Sequence, residues 1–274
     1  MSNELQDEYQ GNEKDLIEKL KKEHEVKQLS DYKFPTEIID LPSKGLIYSE
    51  DNPLSSGQIE MKYMTAKEED ILTNQNYIQK GIVIDKLLKS LIVDKKINYN
   101  ELLVGDKNAI LVAARILGYG ADYEFTYQGE IVKVDLTKIE NKPFDEKLVS
   151  EGKNEFKYTL PTTKNELTYK LLSHGDELKV DQEIKGIKKI TKDASPDLST
   201  RLKHMIIAVD GNGDTKFIRD FVDEQFLARD SRAFRKHLNG IQPDVDLKFY
   251  PEDGPEEGVD IPLGVTFLWP DFAI

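Results

Sequence analysis

The chain has 274 residues, no cysteine, and 51 acidic against 38 basic side chains, for a net charge of −13. So acidic a surface repels phosphate backbones and anionic lipid, which argues against general nucleic-acid or membrane binding but leaves room for a local basic patch. Without thiols, disulfides, iron–sulfur clusters and thiolate zinc sites are excluded too. No stretch approaches the roughly 20 apolar residues of a membrane span. The opening MSNELQDEYQ lacks the basic-then-apolar order of a signal peptide, so the protein is expected to stay soluble where it is made.

Residues 1–33 read as a charged, partly helical or disordered tail. Within it Leu16, Ile17, Leu20 and Val26 can line a narrow apolar stripe, either a solvated helix or an element that docks on a partner subunit. Prolines and glycines punctuate residues 34–61, as in FPTEIIDLPSKGLIY and NPLSSG, which favours extended chain with turns. Lys44 and Gly45 lack the upstream glycine and following Ser/Thr of a phosphate loop, so no nucleotide site is expected there.

Residues 62–120 carry the clearest helical signals. In MTAKEEDIL, Thr65 is placed to cap a helix and Glu68, three residues on, to reach back to the cap's amide. Ile84, Leu87, Leu88, Leu91 and Ile92 then recur on one helical face. LLVGDKNAILVAARILGYG, from Leu102, is apolar nearly all round between Ile110 and Leu117 except at Arg115, so it should be buried, with Gly118 and Gly120 as its stop. Each buried Leu, Ile or Val contributes roughly 1.5–3 kcal/mol, enough for three such helices to form a core.

Residues 121–172 read as two β-hairpins: YEFTY and IVKVDL about Gln128 and Gly129, then EFKYTLP and ELTYKLL about Thr162 to Asn165. Residues 173–242 return to helix. Lys185, Lys188, Lys189 and Lys192 form its solvated basic face. A helix is expected from Ser199 to Val209, with Leu202, Met205, Ile206 and Val209 on one side, then helices at Lys216–Val222 and Ser231–Leu238, the last capped by Asp230. Residues 243–274 contribute a last pair of strands, VDLKFY and GVDIPLGVTF, and the tail LWPDFAI. The fold class expected is α+β, a helical core with two or more β-hairpins and not a parallel doubly wound sheet.

No catalytic or metal motif stands out. DGNGD, from Asp210, offers oxygens at alternate positions, but the sixth position of a calcium loop would be Thr215 rather than glycine and the twelfth Phe221 rather than glutamate, so a turn is expected. His24, His174, His204 and His237 belong to no HExxH or HxE pair, and neither GxSxG nor GxGxxG occurs. Glu68 and Glu69 are adjacent on a helix and point apart, so they cannot act as a catalytic pair.

The ordered series MTAKEEDIL, KGIVIDKLL, LLVGDKNAILVAARILGYG, TRLKHMIIAVDGNGD, ARDSRAFRKHL, PDVDLKF and PLGVTFLWPD, preceded by LPSKG, resembles the T4-type bacteriophage baseplate hub and hub-assembly protein family. The resemblance runs from about Leu41 to Asp271. It implies a non-enzymatic structural or assembly protein of a contractile phage tail. Such a protein would bind other baseplate hub proteins and the tape-measure protein, and would be found in the host cytoplasm during assembly or in the virion. Family members commonly hold a structural zinc on two CPxC-type knuckles. Here both knuckles are gone, leaving Tyr127 to Glu130 and PEDGPEEG, so no cofactor is expected. We expect the two hairpins to lie side by side, joined by strand pairing and by packing of Phe125, Phe249 or Trp269. Leu16, Leu20, Trp269 and Phe272 are the candidate partner-docking residues, although Trp269 could equally cap the domain's own core. The alternative is a ligand-binding or enzymatic domain whose site is assembled from residues distant in sequence.

Overall fold

The computed structural model describes residues 35–149, 152–191, 196–251, 254–255 and 258–270. Of the two units into which the chain divides, Met1–Pro35 and Thr36–Ile274, the second carries every element described below. It is an α+β fold: nine helices among the described residues and four small antiparallel sheets, with no parallel doubly wound sheet.

Strands β1 (Thr36–Asp40) and β2 (Gln58–Lys62) form a ribbon with Ile39 opposite Ile59. The LPSKG turn lies between them, and Gly45 is required there: its φ is +77°, and a Cβ would fall 2.3 Å from the Ser55 carbonyl oxygen. Helices α1 (Ala66–Leu72), α2 (Gln75–Gln79) and α3 (Val83–Leu91) follow. The start of α1 is as expected, for the Glu68 carboxylate accepts both the Thr65 N–H and the Thr65 hydroxyl, at 3.2 and 2.7 Å. Leu87, Leu88 and Leu91 of α3 are fully buried, as their spacing requires.

Helix α4 (Val104–Tyr119) is central. Ile110 to Ala114 are all buried, and α3, β1 and the short C-terminal helix pack around it. Arg115, the single charge in its apolar stretch, is buried as well. Its guanidinium donates to the Gly120 and Asp122 carbonyl oxygens at 2.9 Å, joining the helix end to the next strand. The expected glycine stop is half right. Gly120 ends the helix at φ +86°, but Gly118 stays helical, with Met64 packed so close that its Cε would lie 2.4 Å from an added Cβ.

The LPSKG turn and α4 are joined by a buried polar knot. Asp106, fully buried in the first turn of α4, accepts the Ser43 N–H (2.9 Å), the Ser43 hydroxyl (2.7 Å) and the Tyr48 hydroxyl (2.6 Å). The Tyr48 oxygen in turn accepts the Leu103 N–H at 2.9 Å. Burial pushes the Asp106 carboxyl above its usual range; the three donors pull the other way without cancelling that cost.

Strands β3 (Asp122–Tyr127) and β4 (Glu130–Asp135) form the first expected hairpin, turning at Gln128 and Gly129, both at positive φ (50° and 88°). Strands β5 (Phe156–Thr159) and β6 (Glu166–Tyr169) form the second. Helix α5 (His174–Ile190) starts on a Ser173–Asp176 capping box and packs on α6 (Asp197–Met205). The helix expected to run to Val209 stops at Met205. Ile206–Val209 is strand β7, which pairs with β6 and completes a three-stranded sheet. The free edge of β6 offers this segment a hydrogen-bonded ladder that outweighs its helical spacing.

DGNGD is a turn, leading from β7 into α7 (Thr215–Asp220) and a π turn at Phe221–Gln225. Helix α8 (Ala228–Ile241) begins earlier than expected, so Asp230 does not cap it. Fully buried, Asp230 instead accepts the Thr162 and Thr163 N–H groups of the β5–β6 loop at 2.8 and 3.0 Å. Strands β8 (Lys248–Phe249) and β9 (Val259–Asp260) are short, and the expected strand through GVDIPLGVTF gives way to helix α9 (Val265–Leu268). No helix among the described residues is long and apolar enough to cross a membrane.

Asp106→Ala leaves three buried donors without an acceptor, and urea unfolding should register a loss of about 3–5 kcal/mol. Two glycine substitutions should move stability in opposite directions. In α4 a Cβ on Gly105 would lie 1.9 Å from the Pro243 carbonyl oxygen, so Gly105→Ala should cost about 2–3 kcal/mol. Gly186 of α5 meets nothing within 4 Å, and Gly186→Ala should gain about 0.5–1 kcal/mol.

Candidate functional site

Of the docking residues expected from sequence, Leu16, Leu20 and Phe272 lie outside the described residues. Trp269 follows α9, where it is half-buried against the domain's own core. The expectation for the two hairpins holds for their aromatic packing. The Phe125 and Phe249 rings meet edge to face at 5.9 Å, and Tyr127 meets Phe249 at 6.1 Å. Tyr123 packs on Phe267 at 4.9 Å and donates its hydroxyl to the Pro262 carbonyl. Among the described residues the expected strand pairing between the hairpins is not found, since β3–β4 and β8–β9 are separate sheets.

A buried titratable cluster was not visible in the sequence, because its members come from four elements. Asp85 of α3 accepts the Tyr99 hydroxyl and the Lys107 ammonium, both at 2.9 Å on Oδ1. Lys107 Nζ lies 3.0 Å from His174 Nδ1, while His174 Nε2 sits 3.3 Å from Asp85 Oδ2, an ion-pair contact rather than an aligned hydrogen bond. The His174 ring meets the Tyr99 ring edge-on at 4.7 Å, and Lys89 and Lys107 lie over the Tyr99 face.

Burial raises the Asp85 pKa, but His174 and Lys107 outweigh it and hold the carboxyl well below the usual range. Burial, reinforced by the Asp85 charge, raises the Tyr99 hydroxyl far above its ordinary value. Both effects suit a fixed tie more than proton transfer near neutrality. The adjoining cavity, about 190 Å³, reaches Tyr99 and Lys89 but not Asp85, Lys107 or His174. The cluster locks α3, α4 and α5 to the loop that carries Tyr99.

Two kinds of surface hollow remain. A polar cleft of about 580 Å³ lies between Glu140–Pro143 and Gln242–Lys248, where Asp244 is already engaged by Asn108 and by its own neighbour's N–H. Among the described residues no group of three or more His, Cys, Asp or Glu is placed to hold a metal ion. The second hollow is apolar, about 420 Å³, and runs along α4 beside β1, with Val112, Ala113, Ile116, Leu136, Ile139 and Val245 among its walls.

Asp85 contributes stability that is present above the ordinary carboxylate pKa of about 4 and is lost as pH falls toward its depressed folded value. Asp85→Asn should therefore cost about 1–3 kcal/mol at pH 7. Urea midpoints at pH 7, 4 and 3 should show a shallower acid decline in the variant than in the wild type.

Comparison with protein-family models, with curated proteins and with solved structures finds no match to this chain.

Proposed function

We propose that the protein is a non-enzymatic structural or assembly component of a contractile phage tail, acting at the baseplate hub through contacts with other tail proteins. One observation carries the reading. The segments that resemble the hub family are far apart in the chain yet meet in space. Ser43 of LPSKG is bonded to Asp106 of LLVGDKN, and Pro243 of PDVDLKF sits against Gly105 of that same helix. Residues placed to join distant elements of one fold suit a scaffold, and this supports the reading.

The alternative, an enzyme with a site drawn from distant residues, has one candidate, the Asp85–Tyr99–Lys107–His174 cluster. Asp85 is bonded to Tyr99 and Lys107, and Lys107 to His174, and the neighbouring cavity does not open onto Asp85, Lys107 or His174. This favours the scaffold.

Affinity capture with tagged protein from infected host cells should retain baseplate hub proteins or the tape-measure protein. Mass spectrometry of purified virions then separates the two roles. Detection in the particle identifies a hub part; absence, with capture in the lysate, identifies an assembly factor acting in the host cytoplasm. Reproducible turnover of a small molecule, abolished by changing one polar side chain without loss of folding, would overturn the proposal.

A further inference from the structure

The β1–β2 ribbon is incomplete on one side. The far edge of β2 is covered in part, by the Met61–Ile92 bridge and by the Val93 N–H on the Glu60 carbonyl. Strand β1 has no partner but β2 among the described residues, and none of these pairs with the backbone groups on its outer edge. Exposed edges of this kind are normally blocked or used, because they template pairing with another chain. Ile38, at the middle of the edge, is 65% exposed.

The apolar hollow along α4 opens against this same strand, with Glu37, Ile38 and Ile39 among its walls. A strand laid along β1 would therefore find a hydrogen-bonding edge and, on one face, a floor of Val112, Ala113 and Ile116. Full pairing would engage about five residues of the incoming chain, roughly 17 Å. The small side chains of Ala109 and Ala113 allow a backbone to approach α4 closely.

Charge says what that strand carries. Glu37, Asp40 and Glu60 are exposed on the ribbon and accept only neutral donors, from Tyr63, Gln58 and Thr36 respectively. None has a cationic partner among the described residues, and the whole chain bears −13. Two β1 edges brought together would bring the Glu37 and Asp40 carboxylates of both copies into one small ribbon, a repulsion that works against self-pairing. A segment with Lys or Arg between its aliphatic residues meets the opposite sign instead.

We propose that β1 and the groove along α4 receive an extended segment of a partner protein, with alternating aliphatic and basic residues, which adds to the ribbon as its third strand. The inference rests on the scaffold reading and specifies how a hub neighbour is gripped. The probe is a fluorescein-labelled synthetic peptide of repeating Lys-Val units closed by Lys, compared with its Glu-Val counterpart.

The Lys-Val peptide should bind the full-length protein and slow amide hydrogen exchange within Thr36–Asp40, while the Glu-Val peptide should do neither. The exposed double variant Glu37→Lys/Asp40→Lys should weaken binding of the basic peptide at least tenfold and reverse the preference. Ile116→Lys, on the groove wall, should abolish slowed exchange while circular dichroism stays native. Unchanged exchange at β1 on peptide binding, equal affinity for the charge-reversed variant, or a dimer formed through β1 in the free protein would overturn the proposal. Capture of hub proteins equally by wild type and by Glu37→Lys/Asp40→Lys would sink this inference alone. Loss of hub capture by both, with peptide binding intact, would sink the scaffold reading alone.

Discussion

Asp106 is the point at which the two halves of the N-terminal region become one structure. A carboxyl group removed from water is costly, and this one is tolerated because the Ser43 amide, the Ser43 hydroxyl and the Tyr48 hydroxyl all converge on it. The arrangement fixes the LPSKG turn against the first turn of α4. That in turn sets where β1 runs relative to the helix, and so the width of the groove between them. The Tyr48 oxygen passes the constraint on to the Leu103 N–H, and Leu103 forms an isolated bridge with Ser173 just before α5. From one buried acid the register of the turn, the central helix and the second helical region all follow.

The acidity of the chain is resolved differently inside and outside. Inside, carboxylates act as acceptors that join elements: Asp85 ties three helices to a loop, Asp230 holds the β5–β6 loop to α8, and Glu68 caps α1 while pairing with Lys62. For Asp85, Glu68 and Asp230, burial opposes the charge and the donors overcome it; for Asp106 burial prevails. Outside, the carboxylates of the β1–β2 ribbon meet neutral donors among the described residues, the acidic edge on which the proposed basic strand would lie. The same residue type therefore builds the molecule in one place and gives it an electrostatic face in another.

An aromatic cluster holds the two hairpins together. Phe125, Tyr127 and Phe249 bring β3–β4 and β8–β9 together, and Tyr123 adds Phe267 and the Pro262 carbonyl. Ring contacts of this kind are worth about 0.5–1.5 kcal/mol each beyond their burial. They tolerate separate backbones, and the two hairpins accordingly remain separate sheets.

What the sequence determined by itself was local. The Thr65–Glu68 box, the face of Leu87, Leu88 and Leu91, and the Gln128–Gly129 turn depend on residues within a few positions of one another, so spacing was enough to read them. What only the tertiary structure decided involved competition between distant partners. Ile206–Val209 carries helical spacing but becomes a strand because the edge of β6 is there to pair with it, and Gly118, which lies inside its helix, has Met64 packed where a side chain would be. Asp230 turns from its own helix to the Thr162 and Thr163 amides for the same reason. The Asp85–His174 cluster and the groove beside β1 belong to this second group. Each is made by chain segments that folding brings together, and no periodicity along one segment can encode a neighbour that lies elsewhere in the chain.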